Sequence, residues 1–130
     1  MENEFKYAEL TGKIIGSAME VHNHLGSGFQ EVIYQRALAC EFELQGILFT
    51  REYEMPVMYK EMQVGTRRVD FLVQEVISVE IKAITVLEKV HMAQAINYLE
   101  AYNLEVGLLL NFGNTRLQYH RFENKKYRAS

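Results

Sequence analysis

Two acids and a lysine in the segment RVDFLVQEVISVEIKA are spaced for metal-assisted chemistry: Asp70 precedes Glu80 by ten residues and Lys82 follows it by two. Side chains alternate faces along a strand, so Glu80 and Lys82 share one face while Val79, Ile81 and Ala83 line the other. If the loop between the two strands is three residues, 74–76, Val73 pairs with Ile77 and Asp70 falls opposite Glu80. A two-residue loop would put Asp70 on the other face, so the reading depends on an odd loop length. Two facing carboxylates repel each other, and a fold that places them together usually has a cation between them. Mg²⁺ suits such a pair, because it takes hard oxygen ligands, often only one or two from protein, and completes its shell with water and substrate phosphate. An ion held there would polarise a phosphoryl oxygen and lower the pKa of a water nucleophile, with Lys82 positioning the water or stabilising developing charge. The chemistry expected is metal-dependent phosphodiester hydrolysis, with Mn²⁺ as a possible substitute. The ordinary alternative is an exposed hairpin face on which Lys82 pairs with Asp70 or Glu80 and does nothing further.

Other reactive residue types carry less. His22 and His24 would point about 200° apart on a helix, which argues against joint metal ligation. His91 reads as a surface or capping histidine. Gly26 and Gly28 lack the GKS/T or GxGxxG context of a phosphate loop.

The elements that must position the acids follow from hydrophobic period. Leu10, Ile14, Ala18, Val21 and Leu25 recur every three or four residues and predict a helix over 8–25, stopped by Gly26. Ser27 is a candidate cap for a second helix whose stripe would be Phe29, Ile33, Ala37, Cys40 and Leu44, with Gly46 as its stop. Cys40 on that stripe reads as a buried thiol, and as the single cysteine it can form no internal disulfide, which fits a reducing compartment. Beyond Gly46 the period becomes two, with Ile47, Phe49, Tyr53, Val57 and Tyr59, and Pro56 restricts this stretch to an edge or a strand start. Strands are expected at 67–73 and 77–84. A third helix is expected over 88–102, with Met92, Ala95 or Ile96, and Leu99 inward. A central, nearly all-apolar strand at 106–110 and a final strand at 116–122 complete the order ααβββ(β)αββ, a mixed sheet with helices on it.

Composition supports one domain over 1–130. The chain is 48% hydrophobic, has a single proline, and shows no linker, repeat or low-complexity tract. Its start, MENEFKYAEL, carries acids where a signal peptide carries bases, and no apolar run approaches a membrane span, so a soluble cytoplasmic protein without a membrane partner is expected. The net charge of −3 argues against coating nucleic acid by bulk electrostatics. The charge is divided unevenly: residues 1–66 hold five basic residues against ten acids, and residues 67–130 hold nine against seven. The end beyond Arg116, with Arg121, Lys125, Lys126 and Arg128, is locally basic and could touch a phosphate backbone, although a solvated end is the commoner reason for such a run.

Three ordered blocks resemble one family. VHNHLGSGFQEVIY, with Gly28, Glu31 and Tyr34, resembles the signature of the GxxExxY family; RVDFLVQEVISVEIKA resembles its acid and ExK segment; HMAQAINYLEAYNLEVGLLLNFG resembles its closing helix and strand. That family belongs to the PD-(D/E)XK nucleases, and the resemblance implies an α/β restriction-endonuclease-like fold: a mixed central sheet flanked by helices, with an αβββαβ core and ExK on the third strand. It implies Asp70 and Glu80 as motif acids, Lys82 as motif lysine, Glu31 as a helix glutamate completing the metal site, and Gln94 with Tyr98 reaching the site from the next helix. Val69 stands where the motif's name has proline. Arg67 and Arg68 join Tyr98 as candidate substrate contacts. The activity implied is that of a nuclease on DNA in preference to RNA. A chain this small and acidic is expected to need a homodimer mate or a recruiting protein to hold a duplex. The alternative is a module that keeps the fold to bind nucleic acid or protein without cleaving.

Overall fold

In the computed structural model, which describes residues 7–129, period four at the start of the chain folds as two helices, α1 Ala8–Leu25 and α2 Glu31–Gln45. The acids Glu2 and Glu4, which enter the charge count, lie outside the described residues. α1 buries Ile14, Ala18 and Val21 and ends at Gly26, whose φ of 72° suits a residue without a Cβ. α2 begins later than expected. Its first residue is Glu31 after an extended Gln30, and Ser27 makes no cap.

The buried stripe of α2 differs from the expected one. Tyr34, Gln35, Leu38, Ala39 and Phe42 face inward, whereas Phe29 is 48% exposed, Leu44 is 79% exposed, and Cys40 is an exposed free thiol. Aromatic packing decides the rotation. Tyr34 stacks on Phe112 at 4.8 Å between centroids and Phe42 meets Phe71 edge-on at 5.2 Å. Burying those two rings outweighs the Leu44 side chain and the Cys40 thiol.

Five strands form one sheet in the order β1-β2-β3-β4-β5: β1 Phe49–Tyr59, β2 Met62–Val73, β3 Ile77–Lys82, β4 Val106–Asn111 and β5 Gln118–Glu123. β1 and β2 make a long antiparallel hairpin, and Pro56 falls on the edge strand as its missing N–H requires. β3 and β4 are parallel and joined through α3, Lys89–Tyr102. β3 is shorter than expected, and Ile84 lies in the loop beyond it.

One face of the sheet carries the main core, in which Phe71, Val73, Ile77, Val79, Ile81, Val106, Leu108 and Leu110 pack against α1 and α2. α3 covers the other face. It approaches β4 so closely that a Cβ on Gly107 would stand 2.8 Å from Leu99 and 2.9 Å from Ser78. Every residue of β4 is buried, as its apolar run predicts. No helix among the described residues is long and apolar enough to cross a membrane.

Candidate active site

The turn between β2 and β3 has three residues, with Gln74 and Glu75 both in the left-handed region at φ 49° and 63°. Val73 therefore pairs with Ile77, Leu72 with Ser78 and Phe71 with Val79. Continued one step, that register sets Asp70 across from Glu80. The ladder stops short of that step. The N–H of Ile81 donates instead to Asp70 Oδ2 at 2.7 Å, so a side chain occupies the position of the next backbone acceptor.

The alternation of faces also slips at Asp70. Val69 and Leu72 pack with Met55 in a second cluster, while Phe71 and Val73 belong to the main core. On the β1 side the ladder omits the pair between Glu52 and Asp70, and Glu52 adopts a φ of 53°. The interruption opens the sheet where β2 and β3 carry their acids. Asp70 is held a second time from α2, whose Gln35 Nε2 donates to Oδ1 at 3.0 Å.

Glu80 and Lys82 leave β3 on the α3 side, opposite Leu109 and Asn111 of β4. Glu80 is only 7% exposed. Its Oε1 lies 3.6 Å from Arg67 Nη2, and its Oε2 is buried with no hydrogen-bond partner among the described residues. Burial is the largest influence on this carboxyl and the Asp70 charge the next. Together they push its pKa up to about 8, against the pull of Arg67 and Lys82. Asp70 is raised as well by burial, with the Ile81 N–H, Gln35, Lys82 and Arg67 opposing. Glu31, exposed in the first turn of α2, is raised by partial burial and by Asp70, and Lys82 draws it down.

Most of the expected site residues converge on one small cavity. Arg67, Glu80, Lys82, Gln94 and Tyr98 line it together with His91, Ala95 and Leu109, and at about 10 Å³ it has room for one water molecule. The guanidinium of Arg67 sits 3.8 Å from the centre of the Tyr98 ring. His91 also caps its own helix, where its Nδ1 accepts the N–H of Glu88 at 3.0 Å.

Two expectations fare differently. Arg68 does not reach the cavity and points to Glu52 and Glu54, each at 3.9 Å. Glu31 is coupled electrostatically to Asp70 and Lys82 from the start of α2, and among the described residues no three His, Cys, Asp or Glu side chains form a ready-made metal cage. Sequence reasoning missed Gln35 and its neighbour Arg51, whose Nη2 donates to Gln35 Oε1 at 2.6 Å. The available hint was spacing, since Gln35 lies one helical turn after Glu31. A larger cavity of about 660 Å³, bordered by Tyr53, Met55, Met58, Tyr102 and Leu104, contains none of the candidate site residues.

The residues present fit a divalent cation. Two carboxylates lie on adjacent strands, near enough for the charge of Asp70 to raise the pKa of Glu80; Glu80 is buried with an unpartnered oxygen, and a hard cation would satisfy that oxygen and reverse that shift.

A family model for the PD-(D/E)XK nuclease superfamily matches residues 8–122. The chain belongs to that superfamily, and its mixed five-stranded sheet with flanking helices is the restriction-endonuclease-like α/β fold. Among solved structures, the crystal structure of SSO0001 is similar, with a TM-score of 0.48 and 15% identity over 92% of this chain and 80% of that one. No curated protein is significantly similar to the chain.

Proposed function

We propose that this protein is a nuclease of the GxxExxY type that hydrolyses phosphodiester bonds, DNA in preference to RNA, with Asp70 and Glu80 holding Mg²⁺ or Mn²⁺. Superfamily membership points to a nuclease and a divalent metal. The observation that carries the site assignment is Glu80 itself: a buried carboxylate with an unpartnered oxygen, its pKa raised by the nearby charge of Asp70, an acid whose orientation is fixed from two sides. A folded chain without a use for that arrangement would gain by replacing it.

When bound, the ion supplies Lewis acidity and an acidified water. Asp70 offers a carboxylate already oriented by Gln35 and Ile81, and Glu80 offers a second, buried one. Lys82, on the same face of β3 as Glu80, holds the attacking water and stabilises charge on the phosphate. Arg67 and Tyr98, which line the cavity, would meet the phosphate backbone, and Gln94 on the same cavity would orient groups there. Glu31, at the exposed start of α2 and coupled electrostatically to Asp70, would complete the carboxylate set that holds the ion.

The second reading, a binding module without cleavage, has one observation on its side. The cavity at Glu80 admits little more than a water. Either reading leaves room for a homodimer mate or a recruiting protein. The test is Mn²⁺ titration calorimetry with a cleavage assay on plasmid DNA and on RNA. Metal binding lost in Asp70→Ala and Glu80→Ala, with cleavage lost in both, supports the nuclease. Metal binding without cleavage of either nucleic acid supports the module.

A further inference from the structure

We infer that Gln35 and Arg51 act in series as positioning residues for Asp70, a relay that aims one metal-binding carboxylate without neutralising it. The inference rests on the metal-site reading above and extends it to two residues that touch neither metal nor substrate.

Three elements meet in the relay. Arg51 of β1 donates through Nη2 to Gln35 Oε1 at 2.6 Å, and Gln35 of α2 donates through Nε2 to Asp70 Oδ1 of β2 at 3.0 Å. The direction of the amide is settled by chemistry. Arginine has only donors and an ionised carboxylate only acceptors, so Gln35 must turn its oxygen to Arg51 and its nitrogen to Asp70. Swapping the amide would set two donors face to face at one end and two acceptors at the other. With Ile81 N–H on Oδ2, both oxygens of Asp70 are fixed and each keeps a second lone pair for an ion.

An interposed amide does what a direct ion pair would not. A guanidinium against Asp70 would compete with a cation for the same oxygens. Here the charge of Arg51 acts through the Gln35 dipole, and among the described residues no carboxylate pairs with Arg51. The arrangement carries a cost that packing alone does not explain: the Gln35 amide is buried, at 7% exposure, and Arg51 Nε is buried without a hydrogen-bond partner among the described residues. Partners of this kind behind a metal ligand typically change metal affinity by about 10- to 100-fold when removed.

Mn²⁺ affinity by calorimetry, alongside the melting temperature in EDTA, tests the relay in wild type, Asp70→Asn, Gln35→Met, Arg51→Met and the double variant. We expect Gln35→Met to weaken Mn²⁺ binding by about tenfold or more. Arg51→Met should weaken it by a smaller factor, and the double variant should bind no worse than Gln35→Met, because Arg51 acts through Gln35. Arg51→Lys should restore most of the loss, since only one donor is used. If Gln35→Met does not fold, the half-buried Arg51 pair of variants decides alone: the loss and its rescue support the relay, and unchanged affinity overturns it. Wild-type affinity in Gln35→Met, or losses that add in the double variant, also overturn it. Those outcomes leave the metal site standing when Asp70→Asn abolishes binding. Wild type that fails to bind Mn²⁺ overturns site and relay together.

Discussion

The Asp70 carboxylate accepts the N–H of Ile81 at 2.7 Å and so stands in the β2–β3 ladder where a backbone carbonyl would be. On the metal-site reading proposed above, the same acid closes the sheet and serves the site. Removing it should be costly even without metal. Asp70→Ala leaves the Ile81 N–H and the Gln35 amide without their acceptor, and an unpaired buried polar group costs about 1–3 kcal/mol. Relief of repulsion toward Glu80 offsets part of that. The expected outcome, measured by urea denaturation in EDTA, is net destabilisation; a variant as stable as wild type would show that the Ile81 bond contributes nothing.

That dual role was not legible in the sequence, whereas much of the surrounding geometry was. Strict alternation from Ile77 to Lys82 determines which residues of β3 share a face, but the register of Asp70 against Glu80 hangs on an odd loop length that side-chain period alone does not settle; the turn after Val73 has three residues, and the ladder is paired as far as Phe71 and Val79. Gln35 and Arg51 escaped because their partners lie on other elements, and no periodicity within α2 or β1 reveals a bond that crosses three of them. The stripe of α2 failed for a related reason. Leu44 and Cys40 fit an apolar period as well as Tyr34 and Phe42 do, and only the rings waiting on the sheet, Phe112 and Phe71, decide between the two faces. Arg68 differs from Arg67 by one position on a strand, and that single step sends it to Glu52 and Glu54.

The raised pKa of Glu80 makes metal-free stability depend on pH. Its folded value of about 8 lies above the ordinary 4.5, so the folded state keeps a proton that the unfolded chain releases between those values. Stability from this group is full below about pH 4.5 and is lost as pH rises toward and through 8. Asp70 and Glu31 are shifted in the same direction and add to the trend. Urea midpoints in EDTA should therefore fall between about pH 6 and pH 8.5, and Glu80→Gln should make that fall shallower. Equal slopes for the two proteins would count against the burial of this carboxyl.

Lys82→Ala should separate binding from chemistry. Lysine carries no lone pair for a cation when charged, so Mn²⁺ affinity should stay close to that of wild type. Cleavage of DNA should fall by about 100-fold or more, the usual loss when one group stabilising transition-state charge is removed. Gln94→Ala, which removes an orienting amide and no ligand, should reduce cleavage less than Asp70→Ala does. Full activity in Lys82→Ala would remove its assigned role.

The response of stability to metal tests the site without any substrate. In EDTA, above about pH 8 where Glu80 has lost its proton, Glu80→Ala should match or exceed the wild-type melting temperature, because the substitution removes a desolvated carboxylate with an unpartnered oxygen and its repulsion toward Asp70. Arg67 loses a contact of only 3.6 Å and keeps the Tyr98 ring at 3.8 Å, so its own cost is small. Adding Mn²⁺ should reverse the order of the two proteins. At a free concentration of about 100 times Kd, binding to the folded state alone adds roughly 2.7 kcal/mol, which a domain of this length shows as a rise of several degrees. Glu80→Ala should lose most of that rise. If Glu80 were instead an ordinary partner of Arg67 or Lys82, Glu80→Ala would melt lower in EDTA and neither protein would respond to the ion. Thermal denaturation of the two proteins with and without Mn²⁺ distinguishes these patterns.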